Sequence, residues 1–310
     1  MSYASRFKTP EKAEAYLAAY KATLALWPVP SQTHEVTTSF GLTHLNVAGS
    51  ADLPPLILLH GFGVSSTQWY PNIGPLSRYF RVYAPDMIGH IGLSVATRPL
   101  QTPQDCATWL IELLDGLKIE RATVGGLSQG GWLTLNWALA APQRVERMVL
   151  LSPAASFAPI TKKFFLRMIP VLFMPTQRMI YWFLQWTTTM PLVVGQPLID
   201  QMVVGIKGLK PQEMGAPIFS VYTDEELGRL TMPTLLLVGE YEVIYQPGPM
   251  LVLERARRLI PQVEAELIPG GGHMFPVDQA EATNARILKF LTGYAMNRFS
   301  EIVAGWVADD

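Results

Sequence analysis

The pentapeptide Gly126-Leu127-Ser128-Gln129-Gly130 sets a serine between two glycines, each two residues away. A serine hydroxyl is a weak nucleophile unless a neighbouring base takes its proton. The five-residue spacing alone recurs by chance, so its context carries the argument. The run 121–127 reads as a strand, and Trp132–Ala140 reads as a helix. A serine at a sharp strand-to-helix turn adopts a strained backbone conformation. Its hydroxyl then projects beyond the sheet edge, next to a helix N-terminus. Glycines on either side let strand and helix approach without Cβ clashes. The chemistry such a residue can do is attack on a carbonyl carbon. The bland alternative is a glycine-rich turn with no chemistry.

The elements that must position this serine repeat along the chain. The continuous apolar run 56–60 breaks into His60-Gly61-Phe62-Gly63, and 81–85, 121–127, 147–152, 233–240 and 263–269 also have strand character. Helical stretches lie between them, near Gln68–Arg78, Pro103–Leu117, Trp132–Ala140, Met250–Ile260 and Gln279–Leu291. Unbroken apolar runs suit strands buried on both faces. Alternation with helices predicts an α/β fold with a doubly wound, mostly parallel sheet. The rhythm stops between about Phe157 and Leu227, where prolines separate short helical stretches rich in Phe, Met, Trp and Ile. The expected organisation is an N-terminal helical extension (1–30), a core (31–156 and 229–293), a helical insertion (157–228) and a C-terminal tail (294–310), itself a short helix or disordered.

These motifs, in this order, resemble the α/β-hydrolase superfamily, and within it serine carboxylesterases with a helical cap. The resemblance covers roughly 33–155 and 230–292. It implies that the backbone N–H groups of Phe62 and Gln129 form an oxyanion hole, each contributing a few kcal/mol to barrier lowering. His60 is then a brace for its loop. The segment Gly270-Gly271-Gly272-His273, after a late strand, is similar to the loop on which the family carries its catalytic histidine. Its glycines are expected to give the flexibility that lets the imidazole reach the serine. His34 and His44 lie in N-terminal strands, and His90 lies on the loop after the 81–85 strand, so His273 is the expected general base. The family's acid follows the strand before that, in a pattern like Gly-x-x-Asp. Here the aspartate is replaced by Glu242, with Glu240 as a rival. Asp86 to Ser94 resembles another family loop but carries one extra residue between its glycines, and reads as a structural turn.

The implied reaction is hydrolysis of a small apolar ester by Ser128, His273 and Glu242 through an acyl-enzyme. It requires no metal or organic cofactor. The same triad also serves C–C bond hydrolases, thioesterases, lactonases and perhydrolases. A serine at the elbow argues against the related enzymes that form an alkyl-enzyme on aspartate. A ligand receptor that retains the fold is the alternative of another class, and a missing triad member would favour it. Within the insertion, Phe164, Met168, Phe173, Tyr181, Trp182 and Trp186 are the expected pocket residues, although most such groups pack the cap onto the body.

Composition bounds the rest. Of 310 residues, 49% are hydrophobic and 16% charged, with a net charge of -1, which excludes a basic nucleic-acid surface. Arg167, Pro170, Pro175 and Arg178 interrupt the most apolar stretch, so no transmembrane span is expected. Cys106 is the only cysteine, which rules out an intrachain disulfide and a metal site built on several thiolates. With no signal-like start, a cytoplasmic location is expected. The apolar insertion leaves room for a homodimer contact or a membrane-surface patch.

Overall fold

The computed structural model describes residues 3–189, 191, 196–213, 215 and 219–307. Nine strands form one sheet among them: β1 (Gln32–Thr38), β2 (Gly41–Ala48), β3 (Pro55–Leu59), β4 (Arg81–Pro85), β5 (Val95–Ala96), β6 (Ala122–Leu127), β7 (Val145–Leu151), β8 (Thr234–Gly239) and β9 (Val263–Ile268). Their order is β1-β2-β4-β3-β6-β7-β8-β9, with the short β5 paired to β2. From β4 to β9 every neighbouring pair is parallel, and the pairs that β2 makes are antiparallel. Parallel strands end on one edge, so the segments after β3, β4, β6, β8 and β9 all emerge there. Crevices at that edge are where such sheets bind ligands.

Eleven α-helices are described: α1 (Pro10–Leu24), α2 (Tyr70–Leu76), α3 (Pro103–Leu117), α4 (Gln129–Ala140), α5 (Lys162–Phe173), α6 (Gln177–Thr187), α7 (Gln196–Gly208), α8 (Asp224–Gly228), α9 (Pro249–Leu259), α10 (Phe275–Asp278) and α11 (Ala280–Val307). Local chemistry sets their ends. Thr102 and Asp105 form a capping box ahead of α3, with Pro103 at the first turn, and Lys118 closes the helix at φ 57°. One sheet face packs Trp109, Leu113, Trp132 and Leu253 of α3, α4 and α9 into a large core. The other face packs Ile73 of α2 and Phe290 of α11, and the same cluster takes in Val171, Ile180 and Ile199 of α5–α7. Apolar groups on both faces explain why the strands read as unbroken apolar runs.

One expectation differs from the structure. The closing helix does not stop near Leu291 but continues to Val307. No proline follows Pro276, so nothing in the backbone enforces a stop. The N-terminal helix packs into the body. Tyr16 and Tyr20 of α1 are fully buried in a third cluster with Ile91 and Leu209. Arg6, also buried, donates to the carbonyls of His90, Gly92 and Ser94 and pairs with Glu213.

Candidate active site

Ser128 is the residue between β6 and α4, with φ 54° and ψ −111°. This is a conformation that side chains with a Cβ rarely adopt, and it aims the hydroxyl off the strand end. The flanking glycines are sterically required. A Cβ on Gly126 would lie 2.2 Å from the Gly130 carbonyl carbon, and one on Gly130 would lie 2.1 Å from the Leu59 oxygen. The turn is tied down by its backbone: Ser128 N–H donates to Leu151, and its carbonyl accepts from Trp132 and Ala154.

His273 lies in the segment after β9, and its Nδ1 is 2.9 Å from Glu242 Oε2, with both side chains almost fully buried. The second carboxylate oxygen, Oε1, accepts from the backbone amides of Val243 (2.8 Å) and Ile244 (3.0 Å). Burial alone would raise the Glu242 carboxyl. The adjacent His273 and the hydrogen bonds it accepts outweigh that and hold it below its usual range. Glu240 is exposed and points elsewhere, accepting from the backbone N–H of Gly270 at 2.8 Å. The longer glutamate side chain therefore still reaches the imidazole, from position 242 and not from 240.

The glycines before His273 serve close packing more than flexibility. A Cβ on Gly272 would sit 2.5 Å from the Thr187 oxygen at the end of α6, and one on Gly239 would sit 2.2 Å from the Gly272 oxygen. Met274 N–H donates to the same Thr187 carbonyl. The loop carrying His273 is thus clamped between the end of β8 and the end of α6.

The loop after β3 is braced from beneath. Met87 N–H donates to His60 Nε2 (2.9 Å), which leaves Nδ1 as the protonated nitrogen, donating to the Gly61 carbonyl (2.8 Å). Burial holds the His60 pKa below its ordinary value, so the ring is neutral. Asp86 is the second brace. Its Oδ1 accepts from the amide and hydroxyl of Ser66, and its Oδ2 from the amide of Leu93. The loop resembling Asp-x-x-Gly is a structural turn whose carboxylate ties two active-edge loops together. Gly92 must be glycine because a Cβ there would lie 2.7 Å from the Asp86 Cβ. Among the described residues, the backbone amides of Phe62 and Gln129 donate to no protein acceptor.

Ser128, His273 and Phe62 line one small cavity of about 50 Å³. Its apolar wall comes from Phe164 and Met168 of α5, Phe183 and Leu184 of α6, and Met202 of α7. A larger cavity of about 210 Å³ borders His90, Arg98 and the Gln129 side chain but contains neither Ser128 nor His273. Of these two, only the smaller is lined by Ser128 and His273. Of the six pocket residues expected from sequence, Phe164 and Met168 face Ser128. Trp186 is half-buried against the neighbouring core. Phe173, Tyr181 and Trp182 are exposed and do not line the cavity. Sequence reasoning missed Phe183, Leu184 and Met202. The helical spacing of Ile180, Phe183, Leu184 and Thr187 marks the inner face of α6 and would have found the first two. No comparable signal points to Arg6. Its partners are carbonyl oxygens, which leave no trace in side-chain identity.

Three or more metal-binding side chains do not cluster anywhere among the described residues, and no helix there is long and apolar enough to cross a membrane.

Residues 56–286 match the sequence profile described as "Alpha/beta hydrolase family". The chain is 37% identical to carboxylesterase YbfK of Bacillus subtilis over 297 residues, covering 93% of this chain and 97% of that one. It is likewise 37% identical to the uncharacterized carboxylesterase nap of the same organism, covering 89% and 91%. The crystal structure of the naproxen esterase (carboxylesterase NP) from Bacillus subtilis superposes with a TM-score of 0.84 at 36% identity, covering 92% of this chain and 99% of that one.

Proposed function

Since the chain belongs to the α/β-hydrolase family, we propose that it hydrolyses carboxylic esters with an apolar acyl or alcohol group, through an acyl-enzyme on Ser128. The observation that carries this reading is the 2.9 Å contact between His273 and Glu242 beside a strained serine on an apolar cavity. Glu242 accepts a hydrogen bond from His273 Nδ1–H and so presents Nε2 as a base. His273 removes the Ser128 proton as Oγ attacks the ester carbonyl. The backbone N–H groups of Phe62 and Gln129 take up the developing oxyanion, each worth roughly 3 kcal/mol at the transition state. His273 then protonates the leaving alcohol. It next activates a water that releases the acid and restores the serine. In this account α5–α7 act as a cap, and Phe164, Met168, Phe183, Leu184 and Met202 contact the apolar part of the substrate. The substrate class is supported by the esterase relatives and by that lining.

The test is turnover of p-nitrophenyl esters from acetate to dodecanoate by the parent chain and by Ser128→Ala. Activity on one or more of these esters that vanishes with Ser128 supports the reading. Ester turnover that survives Ser128→Ala, or a steep preference for small polar esters, overturns it.

A further inference from the structure

The outer face of α5 and α6 is apolar and uncovered. Phe165, Leu166, Ile169, Leu172, Phe173 and Trp182 are all exposed there, Leu166 at 67% and Phe173 at 81%. Large apolar groups scattered singly are ordinary on a protein surface, but a contiguous set on one helical hairpin marks a contact surface. The opposite face of the same α5 is apolar too, with Phe164 and Met168 on the Ser128 cavity.

Charge identifies what covers the outer face. No acidic residue occurs between Glu146 and Asp200, while Lys162, Lys163, Arg167 and Arg178 lie on this hairpin of a chain whose net charge is -1. Among the described residues none of these four cations pairs with a carboxylate. The nearby Asp200 of α7 accepts from Gln177. The Arg167 guanidinium stacks over Trp182 and Trp186 at 4.5 and 4.8 Å, and Lys163 over Trp186 at 5.7 Å. A twofold contact with a second copy would set these cations against their own equivalents with no acid of the hairpin to neutralise them. An anionic headgroup layer supplies the missing charge, and its acyl boundary takes the exposed apolar groups. Cations on one side, with Trp, Phe and Leu on the other, is the pattern of a helix lying in such a boundary.

We propose that the α5–α6 hairpin docks this protein on an anionic lipid–water interface. Leu166, Ile169 and Phe173 enter the acyl boundary, and Lys162, Lys163, Arg167 and Arg178 sit at the headgroups. The consequence for catalysis rests on the ester-hydrolase reading: lipophilic esters dissolved in that interface meet the hairpin whose inner face lines the cavity. Docking itself does not depend on that reading.

Co-sedimentation of the full chain with vesicles tests it, using phosphatidylcholine alone and an equimolar mixture with phosphatidylglycerol. The expected result is binding to the anionic vesicles, weak binding to the neutral ones, and release as salt is raised. Leu166→Asp/Ile169→Asp lowers the partition coefficient roughly a hundredfold, and Lys162→Ala/Arg178→Ala lowers it roughly tenfold. Both variants keep the parent's near-ultraviolet circular dichroism and its turnover of p-nitrophenyl acetate. Ser128→Ala binds vesicles like the parent, which separates docking from catalysis. Absence of vesicle binding, or equal binding by parent and variants, overturns the proposal. So does a dimer in sedimentation equilibrium that Leu166→Asp/Ile169→Asp dissolves without any vesicle binding, which would make a second copy the occupant.

Discussion

Replacing Glu242 with glutamine changes one atom and inverts a hydrogen-bond pattern. In the parent, Oε1 accepts two backbone N–H groups, from Val243 and Ile244, while Oε2 faces His273 Nδ1. A glutamine must keep its carbonyl oxygen on the two amides, since its NH₂ cannot accept from them. The NH₂ then faces Nδ1 and donates to it. The imidazole is forced to carry its proton on Nε2, the nitrogen that should take the Ser128 proton. An acid-to-amide change of this kind in a serine triad costs about 10⁴ in kcat through the wrong tautomer. That is roughly 5.4 kcal/mol of transition-state stabilisation. KM should move little, because Glu242 is not on the cavity wall. Glu240→Gln is the control. Among the described residues its carboxylate bonds only the Gly270 amide, from an exposed site, and the amide oxygen can replace it. Its kcat should stay within roughly twofold of the parent. Initial rates on p-nitrophenyl butyrate at saturating concentration read both values. A Glu242→Gln enzyme that kept more than about a tenth of kcat would refute the tautomer argument, and a large loss in Glu240→Gln would move the role to that residue.

Gly130→Ala should cost at least about 3 kcal/mol of stability by denaturant melting and abolish most turnover, because its Cβ would meet the backbone of Leu59 and not a flexible side chain. Arg6→Ala should destabilise the fold by roughly 2–4 kcal/mol, since three buried carbonyls in the 90–94 loop lose their donor; urea midpoints measure this. Burial, with His60 and Arg6 nearby, pushes His90 down to about 3, so the folded state keeps it neutral while the unfolded chain protonates it. The unfolded state therefore binds more protons below about pH 6.5, and His90 removes roughly 1.4 kcal/mol of stability per pH unit on acidification, down to its folded pKa. His90→Gln should flatten that part of a stability-against-pH curve, and an unchanged slope would contradict the assignment.

The order of strands and helices was legible because most of the buried strands are apolar on both faces and alternate with amphipathic helices. The turn that holds Ser128 was legible because a sterically forced turn needs glycines at fixed spacing, and those glycines meet backbone at 2.1 and 2.2 Å. The spacing after the strand favoured Glu242 over Glu240, but the sequence held no direct sign of which carboxylate faces His273. Their side chains differ only in which direction the turn after β8 aims them. The outward placement of Phe173, Tyr181 and Trp182 was hidden for a related reason. α5 and α6 are apolar on more than one face, so composition cannot say which face is inside. Arg6 escaped entirely, since its work is done on main-chain oxygens far away in sequence.

The most direct test of the account is to trap the nucleophile. The parent chain is treated with a fluorophosphonate, digested, and mapped by mass spectrometry. One stoichiometric adduct is expected on the peptide containing Ser128, absent from Ser128→Ala and formed more slowly in Glu242→Gln, about as strongly as turnover falls. An adduct on another residue, or full labelling at the parent rate in Glu242→Gln, would contradict it.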